Sequence, residues 1–119
     1  SHHKLDNLVL IVDNNRLMIS GFTKDILDPI SFSKKFKAFG WNTFEINGHD
    51  FEKMINVFQK VPIKNKKPTV IVANTVKGKG ISYMENKSQW HGMLPNEEET
   101  KMATEELRNR ITLLKENKK

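Results

Sequence analysis

The sequence predicts an α/β protein with about three parallel strands and flanking helices. Strands are expected at residues 8–12, 41–46 and 69–73, and the first and the last of these runs are almost wholly apolar, as strands of a buried parallel sheet are. Two segments between them repeat apolar residues at helical spacing, at 31–39 and 50–58. Strands that are separated by helices run parallel through right-handed crossovers. A sheet this small is expected to be a fragment of a larger three-layer fold.

The first strand is expected at residues 8–12, where every residue is apolar. A run of this kind is typical of a strand that is buried on both faces of a sheet. The turn-forming residues that follow, Asp13, Asn14 and Asn15, are expected to end the strand.

The first helix is expected around residues 31–39. Phe32, Phe36 and Phe39 are spaced so that their rings share one stripe of the helix, which predicts that this stripe is buried. Gly40 then ends the helix, because glycine adopts the left-handed conformation of a helix C-terminus at little cost.

The second strand is expected at residues 41–46, followed by a turn at Asn47 and Gly48. Asp50 is a suitable N-cap for the next helix, since its carboxylate can accept from free backbone N–H groups. One apolar face of that helix is expected to carry Phe51, Met54, Ile55 and Phe58.

The third strand is expected at 69–73, and an irregular stretch follows it as far as Pro95. Asn96 and Glu99 have the spacing of a capping box, which predicts the start of a last helix. This helix is expected to fray over 116–119 and to bury Ala103, Leu107, Ile111 and Leu114.

Composition excludes several classes of site. The 119 residues include no cysteine, so disulfides, thiolate metal sites and cysteine nucleophiles are excluded, in keeping with a reducing cytoplasm. No apolar run approaches the ~18 residues of a membrane span. The net charge of +6 is consistent with a solvated lysine-rich surface or with affinity for anions such as phosphate ligands or nucleic acid. The lysines are scattered, which gives nucleic-acid binding little support.

Three segments are expected at the carboxyl ends of the strands, where open α/β sheets bind ligands. They are residues 13–21, 47–50 and 75–80, the last continuing to 90–92. Asn14 and Asn15 suit a turn, and their amide oxygens also suit a hard cation such as Mg²⁺. The spacing alone does not decide between the two.

Residues 77–80 read Lys-Gly-Lys-Gly, which suits either a basic surface turn or a loop that holds phosphate oxygens. The spacing of a P-loop is absent. His91 lies in a loop beyond the third strand and is either a solvated side chain or a proton donor, because imidazole titrates near neutral pH. His49 is expected to be part of the local structure beside the Asp50 cap.

Together these segments resemble the thiamine diphosphate-binding half of transketolase. The matching stretches cover nearly the whole chain in order, and they are residues 2–8, 13–15, Gly21, 36–41, 48–50, 77–80 and 90–92. The resemblance implies a two-carbon ketol transfer between sugar phosphates in the pentose phosphate pathway. It also implies two cofactors, thiamine diphosphate and a divalent cation, Mg²⁺ or Ca²⁺.

The resemblance assigns a role to five residues. Asn15 would give its side-chain oxygen and Leu17 its backbone carbonyl to the cation, and Ile19 would lie near the thiazolium ring. Lys77 would approach the cofactor and the substrate, and His91 would contact the diphosphate and help proton transfers. Both are therefore candidate catalytic residues.

The resemblance also predicts what this chain lacks. Residues 1–119 are expected to be a partial diphosphate-binding domain without its N-terminal half, which carries the family's Gly-Asp-Gly aspartate. The pyrimidine-binding domain is expected on a C-terminal subunit, as in a split transketolase, so the isolated chain is expected to be inactive. An open sheet edge is expected to promote self-association.

Two alternatives remain open from the sequence. One is 1-deoxyxylulose-5-phosphate synthase, which shares the Asn-bearing turn and the Lys-Gly-Lys-Gly segment, although the Trp-His-Gly of residues 90–92 favours transketolase. The other is a non-catalytic basic α/β module.

Overall fold

The computed structural model describes residues 1–116 and divides the chain into two compact units. Residues 1–16 and 23–75 form the first, which we call the sheet unit. Residues 17–22 and 76–116 form the second, which we call the loop–helix unit.

The sheet unit contains three parallel strands and three helices. Its elements are β1 (Val9–Asn14), α1 (Thr23–Ile26), α2 (Phe32–Ala38), β4 (Asn42–Asn47), α3 (Phe51–Phe58) and β5 (Thr69–Asn74). The strand order is β1-β5-β4, with both pairs parallel, which confirms the predicted α/β class. The first crossover runs from β1 past β5 to β4, and the second returns from β4 to β5 in the opposite direction across the sheet. Right-handed crossovers that run in opposite directions lie on opposite faces of the sheet.

The core of the sheet unit is β5. Residues 69–73 are all buried, and Ile71 is 1% exposed. A central strand is paired on both edges and has a helix layer available on each face, so a continuous apolar run is the sequence it requires.

The prediction that the first strand is buried on both faces is wrong for the described chain. In β1 Leu10 is exposed and Ile11 is 53% exposed. The described chain pairs β1 with β5 alone, so β1 is an edge strand. The strand also continues through Asp13 and Asn14, because these residues stay in register with the end of β5.

Helix α2 begins where predicted. Ser31 caps it, with its side chain accepting from the backbone N–H of Lys34 at 3.2 Å. Gly40 follows the helix with φ +80°, as expected. The predicted phenylalanine stripe is only partly right, since Phe39 is 74% exposed. Phe39 is the C-cap residue and no longer follows the helical stripe, and the buried residue of α2 is Ser33.

Helix α3 begins at the predicted cap, and of the four residues expected on its apolar face only Met54 is half-buried. Asp50 accepts from the backbone N–H of Lys53 at 3.0 Å. Phe51 is 76% exposed, and Ile55 and Phe58 are exposed as well. Val57 is the buried residue of α3, and this helix contacts β4.

The loop–helix unit contains a two-stranded ribbon and a long helix. Its elements are β2 (Leu17–Met18), β3 (Gly21–Phe22), a 3₁₀-helix (Ser88–His91) and α4 (Glu97–Glu116). The antiparallel β2–β3 pair was not predicted, since two-residue strands leave no periodicity to detect.

The capping box of α4 is confirmed. Asn96 and Glu99 exchange bonds of 2.8 Å, each accepting from the other's backbone N–H. Ala103 is buried as expected, but Leu107, Ile111 and Leu114 are exposed, so their predicted burial is wrong for the described chain. The predicted fray is wrong at Glu116, which is still part of α4, and its other residues, 117–119, lie outside the described residues. Among the described helices, none combines the length and the apolar character of a membrane span.

Candidate functional site

Three asparagines lie side by side at the carboxyl edge of the sheet. Asn14 ends β1, Asn74 ends β5 and Asn47 ends β4, and the strand register places Asn74 opposite both of the others. The predicted convergence of polar residues at this edge is therefore confirmed for the strand ends themselves.

A row of hydrogen bonds connects the strand ends to helix α2. Asn14 Nδ2 donates to Asn74 Oδ1 at 2.8 Å, and Asn74 Nδ2 donates to Glu45 Oε1 at 3.1 Å. The Ser33 hydroxyl donates to the other carboxylate oxygen, Oε2. Because a carboxylate only accepts, Glu45 sets the orientation of both amides along the row.

The hydrogen bonds from Ser33 and then Asn74 lower the pKa of Glu45. Lys37 and Arg16 lower it further through their positive charge, and desolvation opposes them. Glu45 is thus held as a carboxylate, the form that both donors require.

At the same edge of the sheet, the turn after β4 lies close to the end of β5. The Thr75 hydroxyl donates to Asp13 Oδ1, and the Gly48 N–H donates to the Asn74 carbonyl at 2.8 Å. A Cβ added at Gly48 would meet Thr75 Cγ2 at 2.5 Å. The turn after β4 therefore requires a glycine where it passes the end of β5.

The predicted cation ligands are placed as follows. Asn15 directly follows β1 in the sheet unit and is half-buried. Leu17 opens β2 in the loop–helix unit, opposite Phe22. Ile19 lies in the turn between β2 and β3 and is 73% exposed.

Lys77 begins a compact turn in the loop–helix unit. Its carbonyl accepts from the backbone N–H of Asn86 at 3.0 Å, and Lys79 N donates to the Val76 carbonyl at 3.2 Å. Gly78 and Gly80 have φ of +73° and +104°, so both glycines are required by the backbone conformation.

His91 ends the 3₁₀-helix and is exposed. Its neighbour Trp90 is held in place by Tyr83. The Trp90 indole N–H donates to the Tyr83 carbonyl at 3.2 Å, and the centroids of the two side-chain rings lie 5.2 Å apart in an edge-to-face arrangement. The structure therefore places Lys77 and His91 in the same unit as Leu17 and Ile19, and Asn15 in the sheet unit.

The donor chemistry fits a cation that arrives with a phosphate. Among residues 1–116 no group of three or more His, Cys, Asp or Glu side chains is arranged to hold a metal. The predicted ligands are a neutral amide and a neutral carbonyl oxygen, which are hard donors. Such ligands suit Mg²⁺ or Ca²⁺ whose charge is offset by diphosphate oxygens.

Sequence reasoning missed Glu45, Asn74 and Ser33. Glu45 lies in a strand that also contains Asn42 and Thr43, so its polarity alone does not mark it as a residue with a specific partner. Its partners lie 12 and 29 residues away in sequence, so no local pattern could identify them.

Comparison with known proteins gives a consistent result. Residues 1–111 match the family model described as the transketolase thiamine diphosphate binding domain. The chain is 43% identical over 118 residues to one of the subunits of apulose-4-phosphate transketolase from Phocaeicola vulgatus, covering 98% of this chain and 42% of that protein. It is 37% identical over 106 residues to the 6-deoxy-6-sulfo-D-fructose transketolase subunit SqwG of a Clostridium species, covering 87% of this chain and 38% of that protein.

A solved structure agrees with these matches. Transketolase from Campylobacter jejuni superposes with a TM-score of 0.79 at 34% identity, over 89% of this chain and 16% of that one. The chain spans only about two fifths of the length of the two curated relatives above. The matches favour the transketolase interpretation over the synthase and the basic binding module.

Proposed function

The chain belongs to the family of transketolase thiamine diphosphate-binding domains, and we propose that the whole protein transfers a two-carbon ketol unit between sugar phosphates. Thiamine diphosphate, when bound, supplies the carbanion-stabilising thiazolium for this chemistry. Because the chain spans about two fifths of the length of the two transketolase subunits compared above, the reaction is proposed for the whole protein and not for residues 1–119 by themselves.

One observation carries the proposal: polar residues converge at the carboxyl edge of the sheet. Asn14, Asn74 and Asn47 are aligned there, and Asn15 follows immediately after β1. This is the edge at which open α/β sheets bind their ligands.

We propose that Asn15 and Leu17 hold a divalent cation, Mg²⁺ or Ca²⁺, through the amide oxygen and the backbone carbonyl. Ile19 is proposed to lie against the thiazolium ring, and its exposure within the described chain supports a side chain that is available to a ligand.

Lys77 and His91 are the proposed catalytic residues. The Lys77 ammonium attracts the anionic groups of cofactor and substrate. The His91 imidazole contacts the diphosphate and moves a proton at the substrate oxygen, a task suited to a ring whose nitrogens can donate and accept protons.

The substrate class follows the names of the relatives. One of them is named for apulose-4-phosphate and another for 6-deoxy-6-sulfo-D-fructose. We therefore propose a sugar that carries an anionic group, phosphate or sulfonate, without restricting the protein to the pentose phosphate pathway.

A partner subunit is the second part of the proposal. Both relatives are named as subunits, which supports a split transketolase in which a C-terminal subunit supplies the pyrimidine-binding domain. The exposed edge of β1 supports self-association as a further contact. The lack of cysteine fits the reducing cytoplasm, which we propose as the compartment.

Calorimetry with the complete protein tests the cofactor site. With Mg²⁺ present, we expect Asn15→Ala to weaken thiamine diphosphate binding about tenfold or more, equivalent to ~1.4 kcal/mol. Asn109→Ala, an exposed position on α4, is the matched control and is expected to bind like the wild type. Equal affinities of all three proteins would remove Asn15 from the site, and absence of binding to the wild type would contradict the proposed function.

A further inference from the structure

The segment 84–86 holds the loop that carries Lys77. Glu85 Oε1 accepts from the Gly80 N–H at 3.0 Å and lies 3.3 Å from Lys79 Nζ. The backbone N–H of Asn86 donates to the Lys77 carbonyl at 3.0 Å. Both ends of the turn at residues 77–80 are therefore attached to the same three residues.

The middle of the turn is attached as well. A Cβ added at Gly78 would meet the Met84 carbonyl oxygen at 2.6 Å, so the two backbones are in contact there. Lys79 and Glu85 keep 39% and 32% of their side-chain surface, which makes the ion pair only partly screened by solvent.

From these contacts we propose that Glu85 is a positioning residue, which acts through Gly80 and Lys79 to hold Lys77 in its functional conformation. The inference rests on the proposed function, because the proposed function is what gives Lys77 a ligand to approach. Glu85 itself touches neither cofactor nor substrate in this account.

Three neighbouring residues favour the ionised form of the Glu85 carboxylate. The Gly80 N–H and then the Lys79 ammonium lower the pKa of the Glu85 carboxyl, and the charge of Arg110 on α4 contributes in the same sense. Glu85 is thus ionised at neutral pH, and a charge-assisted bond to a backbone N–H is stronger than a neutral one.

Glu106 provides a matched control within the same unit. Its carboxylate also accepts twice, from the Ser82 N–H at 2.7 Å and from the Ser82 hydroxyl, and these bonds lower its pKa. Glu106 therefore resembles Glu85 in its chemistry but is bonded to Ser82 and not to the 77–80 turn.

The first measurement is limited trypsin cleavage of the complete protein at the peptide bond after Lys79. We expect Glu85→Ala to accelerate this cleavage about tenfold, because loss of the two bonds lets the turn open locally. Glu85→Gln keeps an acceptor for the Gly80 N–H and is expected to fall between Glu85→Ala and the wild type. Glu106→Ala is expected to leave the rate after Lys79 unchanged.

The second measurement is the affinity of the same variants for thiamine diphosphate with Mg²⁺. We expect Glu85→Ala to weaken binding about tenfold, as misplacement of a ligand-contacting group does, and Glu106→Ala to bind like the wild type.

The proposal is overturned if cleavage after Lys79 is unchanged in Glu85→Ala, or if the two alanine variants behave alike. It is also overturned if the turn opens while cofactor affinity stays at the wild-type value. Failure of the wild type to bind the cofactor would contradict the proposed function instead, and the cleavage rates would then decide by themselves whether Glu85 holds the turn.

Discussion

Strands β1 and β5 are neighbours with similar residues and opposite surroundings. Ile11 in β1 lies opposite Ile71 in β5, yet Ile11 is 53% exposed and Ile71 is 1% exposed. β5 has a strand on each side, whereas the described chain pairs β1 on one side only. An apolar run therefore predicts that a strand forms, and the position of the strand in the sheet decides how much of it is covered.

The largest effect expected from this difference is on stability. Ile71→Ala should lower the free energy of unfolding by about 2–5 kcal/mol, because it removes buried methyl groups and leaves a cavity. Ile11→Ala, the matched change on the neighbouring strand, should lower it by less than about 1 kcal/mol, since an exposed side chain leaves no cavity. Urea unfolding of both variants gives the comparison. Equal losses of unfolding free energy in the two variants would contradict this difference between the strands, because they would show that β1 is covered in the protein in solution.

A glycine that follows β4 and lies beside the end of β5 gives the next largest effect. Gly48→Ala should destabilise the protein by about 1–3 kcal/mol, as overpacking of a close contact does. The added Cβ would meet Thr75 Cγ2 at 2.5 Å and Ala73 Cβ at 3.1 Å. Gly92→Ala is the control, because no atom lies within 4 Å of a Cβ there. If thermal unfolding showed the same midpoint for both variants, the close approach at the end of β5 would not be present.

The smallest of the three stability effects concerns the row of hydrogen bonds that connects the strand ends. Ser33 and Asn74 lower the pKa of Glu45, so the ionised carboxylate stabilises the fold above its ordinary pKa of 4.5. That stabilisation is lost as the pH falls through the lowered pKa of the folded protein. Glu45 is exposed, so we expect Glu45→Gln to cost less than about 1 kcal/mol at pH 7. The difference in urea midpoint should shrink below pH 4.5, and a difference that grows on acidification would refute this role of Glu45.

Local patterns predicted much of the fold. The caps Asp50 and Asn96 are confirmed because a cap depends on residues within one turn of the chain. The three strands and their parallel orientation are confirmed because strands that are separated by helices run parallel through right-handed crossovers.

Burial could not be predicted in the same way. The apolar face expected on α3 is exposed at Phe51, and the exposed residues of β1 belong to a run that reads as fully buried. Helical or strand periodicity shows which residues share a face, but it does not show which neighbour covers that face.

The residues of the candidate site also differ in whether they could be predicted from local sequence patterns. Lys77 and its two glycines were identifiable because alternating lysines and glycines by themselves indicate a turn that suits phosphate oxygens. Glu45 and Asn74 were not, because their bond joins positions 29 residues apart. The assignments of Asn15, Leu17, Ile19, Lys77 and His91 remain predictions from resemblance.

The proposed function is tested most directly by the turnover of a His91 variant. In the complete protein together with the proposed partner subunit, we expect His91→Ala to lower ketol transfer about a hundredfold or more, because it removes the group proposed to move a proton at the substrate. Gln89→Ala changes an exposed residue of the same 3₁₀-helix and should retain wild-type turnover. The account predicts a large loss for His91→Ala alone, with an unchanged melting temperature. Equal turnover of His91→Ala and the wild type would contradict it.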